Sequence, residues 1–441
     1  MSRSTSRVMG LLLTAMLVGG LNSAAFANSS KPADFSVNLS DIILNAYSHH
    51  PQLKGMRAEL QGTKENLIQA RAQYLPELNL TGGLSVSDRR ADLQDGSLFE
   101  QNTQPKDLSV RLNYTLYSGG RRELFRQGAI LSVQSRQARY EDAALEIASD
   151  IIQDYLTLWS MTEQLKILNE NVENLVSLEA SISARFDYND ATRADLALIR
   201  GRLASAKALR SSVRAELNLA RDGLYSKTGF LVQSPILPEL AKTEILLDYD
   251  SLIELSRQRS PAIEASQLTE QSANINVQSE ARKSLPTINL TASASTVRDS
   301  SPTIDRDDDL RAGISFSMPL YSGGSGKSNT RRALASYNAA RFNTENIIRE
   351  SDLRISQLWS RIQNGKSVVD AQMENVAANQ DALNGIKRAD EFDVATTQDV
   401  LEAEQGLLNA RLSLTTSLMQ QYLARLLVQL YTGELDVYDF E

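Results

Sequence analysis

The chain repeats itself, and that repetition limits its folds more than any other feature. Leu116-Tyr117-Ser118-Gly119-Gly120 returns as Leu320-Tyr321-Ser322-Gly323-Gly324, an offset of 204 residues. Earlier in the chain, Ala70-Arg71 with Leu75-Pro76 returns as Ala281-Arg282 with Leu285-Pro286, and His50-Pro51 as Ser260-Pro261. There the offset is about 210, so the first copy carries about six extra residues between Pro76 and Tyr117. A Leu-Trp-Ser tripeptide at Leu158 and Leu358 does not fit this register, which pairs Tyr155 with Trp359 without a gap. Duplication accounts for 441 residues without several unrelated domains. We expect a first repeat over 28–238 and a second over 239–441.

Each copy has the same order: helix, two strands, then a long helical hairpin. Period-2 alternation marks strands at about 78–88 and 108–117, and again at about 287–298 and 310–320. One face carries Leu78, Leu80, Leu108, Val110, Leu112, Ile288, Leu290, Ile314 and Phe316. The other carries Asn79, Thr81, Ser109, Arg111, Asn113, Asn289, Thr291 and Arg311. Strands of about 9–11 residues match the length of a tilted strand across a bilayer. Four such strands cannot close a barrel, and an open edge cannot sit in lipid, so several chains must share one barrel or the strands lie outside a membrane. In the membrane case Leu112 faces outward and Asn113 inward.

Helical hairpins are expected at about 121–230 and 325–432. Leu124, Leu131, Ala138, Leu145, Ile152 and Trp159 recur every seven residues, a seam suited to coiled-coil packing. Pro235 is the single proline between Arg121 and Leu237. Break signals at Asp187-Tyr188-Asn189-Asp190 and Ala389–Asp393 mark where each hairpin reverses.

Composition agrees with long helices: aromatics make up 6% and there are ten prolines. The absence of cysteine excludes disulfides and thiolate chemistry, and a net charge of −8 disfavours nucleic acid as a partner. At the N-terminus, Arg3 and Arg7 precede an apolar run from Val8 to Leu21, followed by Ala25-Phe26-Ala27. This pattern predicts a secretory signal peptide over 1–27. No Ser/His/Asp spacing, metal cluster or cofactor fingerprint supports an enzyme, and no cofactor is implied.

Taken in order, these elements resemble the TolC-type outer-membrane channel-tunnel family. The resemblance covers essentially the whole mature chain. It rests on Ala46-Tyr47 with His50-Pro51-Gln52-Leu53, on Ala70-Arg71-Ala72-Gln73-Tyr74-Leu75-Pro76, on the duplicated Leu-Tyr-Ser-Gly-Gly, and on Asp399-Val400-Leu401-Glu402-Ala403-Glu404-Gln405. It implies an α+β fold in the outer membrane of a Gram-negative bacterium. A homotrimer would share a twelve-stranded barrel in outer-membrane lipid and a helical tunnel through the periplasm. The implied partners are a periplasmic adaptor and an inner-membrane ABC or proton-driven transporter, and the implied task is to export drugs or proteins.

By the same resemblance, Asp399 and Glu402, one helical turn apart, line the constriction at the inner end. Phe186, Asn189, Asp195, Asp390 and Asp393 fall at the tip turns, where the adaptor docks. The family's Tyr-x-x-Gly at each turn appears here as Phe186…Asn189 and Asp390…Asp393, and its basic residue beyond the second turn is Ala395. Tyrosine- and arginine-based locks of the closed tip are therefore not expected in their usual form.

Three look-alikes have plainer explanations. Gly323-Gly324-Ser325-Gly326-Lys327-Ser328 resembles the end of a phosphate-binding loop, but the first copy has no Lys-Ser, so a strand-to-helix turn is expected. His49-His50 are adjacent and share no helix face. Asp305, Asp307, Asp308 and Asp309 lack the pattern of a calcium loop and read as a solvated loop between the third and fourth strands. The rival class is a secreted coiled-coil structural or adhesion protein with soluble strands.

Overall fold

The computed structural model describes residues 39–92, 98–237, 248–301, 304–392 and 394–435. The expected signal peptide, the repeat boundary at 238/239 and Asp393 lie outside these residues. In the first repeat, α1 (Leu39–His49) and α2 (Pro51–Ala72) lead to β1 (Glu77–Leu84), β2 (Ser87–Asp92), β3 (Leu98–Thr103) and β4 (Lys106–Tyr117). The long helices α3 (Arg121–Asp187) and α4 (Arg193–Thr228) follow. The second repeat runs α5 (Tyr249–Arg259), α6 (Pro261–Ala281), β5 (Thr287–Ser301), β6 (Ile304–Ser317), α7 (Ser325–Asp390) and α8 (Thr397–Tyr431). The starts of α3 and α4 recur at α7 and α8 at the 204 offset, and Pro51 of α2 recurs as Pro261 of α6 at 210.

Glycine chemistry fixes the strand-to-helix corners. Gly119, Gly120, Gly323 and Gly324 all have φ between 61° and 81°, which a side chain would strain. Gly323-Gly324 is thus a turn, as its first-copy counterpart suggested. The 67 residues of α3 span about 100 Å at 1.5 Å per residue. Their apolar seams are buried: Ile151, Ile152, Leu156 and Leu158 are fully enclosed with Ile42, Ile43, Leu53 and Leu224 in the largest core cluster. Burying each such side chain contributes about 1.5–3 kcal/mol. A second cluster (Val172, Leu175, Ile182, Leu196, Ile199) runs down the α3–α4 hairpin, and Leu401 of α8 joins it.

The sheet is stitched from both repeats, in the order β1-β4-β5-β6, all antiparallel. Its register aligns like with like. Leu78, Leu112, Ala292 and Ala312 stand side by side on one face, as do Leu80, Val110, Ala294 and Leu310. On the opposite face Asn79, Arg111, Ser293 and Arg311 share a row. Thr81 and Ser109 hydroxyls bond there at 2.7 Å, and Thr115 donates to Asn289 at 3.0 Å.

Two strand expectations need correction. The first copy's extra residues form a separate β2–β3 hairpin, so β1 stops at Leu84 rather than about 88. Its charged sequence hides the alternation, and Arg90 pairs across the hairpin with Glu100 at 3.3 Å. The stretch Asp305–Asp309 is not a loop: β6 begins at Ile304, with Asp307, Asp308 and Asp309 opposite Val297, Thr296 and Ser295. Carboxylates can occupy this strand because they remain solvated and Arg306 and Arg311 neutralise Asp308 and Asp309 at 2.9 and 2.8 Å.

Candidate functional site

Two regions hold the candidate functional residues: the sheet and the far ends of the helical hairpins. The polar face of the sheet is concave. With the strand-to-helix corners it encloses a space of about 990 Å³, lined among others by Glu77, Asn113, Thr115, Asn289, Thr291 and Arg121. The opposite face exposes its apolar rows to the surroundings: Leu78 is 67% exposed, Phe316 67% and Leu310 82%. An apolar surface this continuous marks a face that meets lipid or another protein. No described helix is long and apolar enough to cross a membrane.

At the tips, local sequence explains the geometry closely. Asn189 takes φ 58°, the left-handed conformation that asparagine tolerates, so it stands in for a turn glycine. Thr192 and Thr396 begin α4 and α8 with matching capping boxes. Each threonine hydroxyl accepts from the amide of Asp195 or Asp399, and each aspartate Oδ2 accepts from the threonine amide and hydroxyl. These donors hold the carboxyls of Asp195 and Asp399 below the usual aspartate range, keeping both ionised. Asp399 and Glu402 are both exposed, and Glu402 accepts from Gln398 at 2.9 Å.

The structure also joins tips that sequence reasoning left separate. Arg185 reaches Asp390 Oδ1 of the second hairpin at 3.4 Å and Asp190 of its own turn at 3.5 Å. Thr397 of the second hairpin also helps to hold the Asp195 carboxyl down, a second coupling between the hairpins. Phe186 packs, half-buried, against the lower core cluster. Glu404, with its side chain 7% exposed, pairs with Lys387 at 2.6 Å. Tyr188, Phe392 and Val394 project into solvent at 77–86% exposure. The ion pairs of Arg185 and Glu404 leave no local signal in the sequence. The Thr-x-x-Asp spacing at 192–195 and 396–399 was a visible signal for the caps.

A sheet with one apolar face, carried on paired hairpins whose longer helices span about 100 Å, defines an outer-membrane duct that reaches into the periplasm. The sequence matches the outer membrane efflux protein family over residues 42–229 and 252–434, and the chain belongs to that family. It is 23% identical to the outer membrane efflux protein BepC of Brucella suis, covering 87% of this chain and 82% of that protein. Identity to outer membrane protein TolC of Escherichia coli is also 23%, over 95% and 86% of the two chains. The proteases secretion protein PrtF of Dickeya chrysanthemi is 24% identical over 84% and 82%. Among solved structures, outer membrane protein VceC of Vibrio cholerae superposes with a TM-score of 0.79 at 18% identity, over 90% of this chain and 96% of that one. The Campylobacter jejuni CmeC outer membrane channel superposes at 0.77 with 17% identity, over 95% and 94%. The protein is an outer-membrane exit duct of an export system, and the family implies trimers acting in tripartite assemblies.

Proposed function

We propose that three copies of this chain close one barrel of twelve strands and one tunnel, and that the tunnel tip meets a periplasmic adaptor and an inner-membrane transporter. The observation that carries this reading is the contact between the two repeats within one copy. It supplies a template for the contact between copies. β4 pairs with β5 through Val110–Ala294, Arg111–Ser293, Leu112–Ala292 and Asn113–Thr291. Shifted by the repeat offsets, the same pairing joins β6 of one copy to β1 of the next through Ile314–Leu84, Ser315–Gly83, Phe316–Gly82 and Ser317–Thr81. The offsets hold within the sheet itself, since Glu77–Asn113 and Leu78–Leu112 recur as Thr287–Ser317 and Ile288–Phe316.

The corners support the same arrangement. A Cβ at Gly119 would come within 2.8 Å of Leu285, whereas Gly323 faces open space. The counterpart of Leu285 is Leu75, which is 67% exposed. Both halves of that contact are vacant within one copy and complementary between two. Four antiparallel strands also leave β6 and β1 running in opposite directions, so the ring closes as an antiparallel ladder.

At the inner end, Asp399 and Glu402 contribute two acids per copy to the constriction, favouring cations. Tyr188, Phe392 and Val394 offer apolar contacts to the adaptor around the charged turns at Asn189, Asp195, Asp390 and Asp393. The relatives' names span efflux and protease secretion, and the cargo of this duct belongs to one of those two classes.

Because the chain has no cysteine, the closing register is directly testable. Ser317→Cys with Thr81→Cys should give disulfide-linked trimers on non-reducing gels of outer-membrane extracts. Ser317→Cys with Asn79→Cys, one inward step out of register, should link far less. Monomers alone, or stronger linkage in the shifted pair, would overturn this barrel.

A further inference from the structure

The apolar face of the sheet ends differently at its two ends. At the helix end it finishes in Ile288, Phe316, Met318, Leu320 and the aromatic Tyr117 and Tyr321. At the end away from the helices, which faces the exterior, the last row reads Leu84, Lys106, Arg298 and Arg306 on four adjacent strands. Side-chain alternation places these cations on the same face as Leu108, Val110 and Leu310. Three positive charges thus stand on neighbouring strands about 4.8 Å apart, beyond the mixed row Gly82, Leu108, Thr296 and Asp308 in which the apolar face gives way.

Their present partners hold them loosely. Lys106 Nζ lies 3.0 Å from Asp299 and Arg306 Nε 2.9 Å from Asp308, with all four side chains about half exposed. Ion pairs this open contribute little and exchange readily. Arg298, between them, is exposed and makes no ion pair among the described residues. A guanidinium in no ion pair, near enough to feel the charge of Asp308, flanked by two exchangeable cations and bordered by Leu108, Val110 and Leu310, fits a ligand that is phosphate at one end and acyl chain at the other.

We infer that Lys106, Arg298 and Arg306 form a binding site for the phosphates of an outer-leaflet glycolipid, whose acyl chains lie along Leu108, Val110 and Leu310. The outer leaflet of an outer membrane consists largely of phosphorylated glycolipid, and this row stands at its headgroup level. The helix end of the same face, at the other leaflet, has no matching basic row among the described residues. The site rests on the lipid-facing assignment of the sheet, which the Ser317–Thr81 crosslink tests separately.

The experiment uses the detergent-purified full-length trimer and native mass spectrometry of bound lipid. Its probes are bisphosphorylated rough lipopolysaccharide, the same glycolipid after dephosphorylation, phosphatidylglycerol, and inorganic phosphate as competitor. Each basic residue near an anionic headgroup contributes about fivefold in affinity. Lys106→Gln/Arg298→Gln/Arg306→Gln should therefore lose bisphosphorylated glycolipid by well over tenfold. Arg111→Gln/Arg311→Gln, on the concave face, should retain it. Dephosphorylated glycolipid and phosphatidylglycerol should bind more weakly than the bisphosphorylated form, and millimolar inorganic phosphate should not displace it. If the triple variant fails to assemble, Arg298→Gln carries the test, because it breaks no ion pair; it should lose about fivefold. Undiminished glycolipid on either row variant, equal retention of the dephosphorylated form, or ready displacement by free phosphate would overturn the site.

Discussion

At the scale of single residues, the acids at the tip do two jobs. Asp399 and Asp195 cap α8 and α4, so part of their role is local and structural, and their depressed pKa keeps both ionised across the neutral range, as the proposed constriction requires of Asp399. The cap is fully present above the ordinary aspartate range and is lost as the pH falls through the lowered value. Asp399→Asn keeps an acceptor for Thr396 while removing charge, and Glu402→Gln removes charge without touching the cap. Together they should reduce the cation-to-anion permeability ratio in planar bilayers, while Glu345→Gln, remote from the turn, leaves it unchanged. An unaltered ratio in the folded double variant would remove both residues from the constriction.

Asp142 behaves in the opposite sense. It lies in a cleft of about 190 Å³ with Glu146, Glu350 and Arg354. Burial, and then the charge of Glu146, push its carboxyl up to about 6 against the pull of Arg354. A raised carboxylate pKa costs the folded state stability above that value, and the cost fades as the pH drops toward the ordinary range. Asp142→Asn should therefore raise the thermal midpoint at pH 7.5, with the gain shrinking by pH 4.5. An equal gain at both pH values would mean that ionisation is not its cause.

At the scale of elements, what could be read from sequence was what local chemistry dictates. The long helices, their reversal points and the Gly-Gly corners depend on seams, breakers and backbone conformations carried within a few residues. The β2–β3 hairpin and the start of β6 were hidden because their side chains are charged. Alternation between lipid and water is the signal for such strands, and it disappears where both faces are wet. The tip links were invisible for another reason: Arg185 and Asp390 are 205 residues apart in sequence. Nothing in either segment alone announces the other. Facing is the property of the sheet most open to a direct test. A charge on the lipid face near mid-membrane costs about 2–4 kcal/mol, and a closed ring of three copies repeats that cost. Leu112→Arg should strongly reduce trimer recovered in outer-membrane fractions, whereas Asn113→Arg, on the concave face, should be mild. The reverse result would invert the two faces.

At the scale of the whole molecule, duplication makes one chain an approximate two-part copy of itself, and the β2–β3 hairpin is the main departure among the described strands. The second repeat has no such hairpin among the described residues: β5 pairs with β6 as far as Ser301 and Ile304. A ring of three copies would therefore have nearly sixfold walls, while its outer rim alternates three β2–β3 hairpins with three β5–β6 ends that lack one. In such a ring, whatever approaches the cell from outside would meet a three-pronged crown, not a smooth circular mouth. An antibody fragment raised against one prong should find three equivalent seats on each duct.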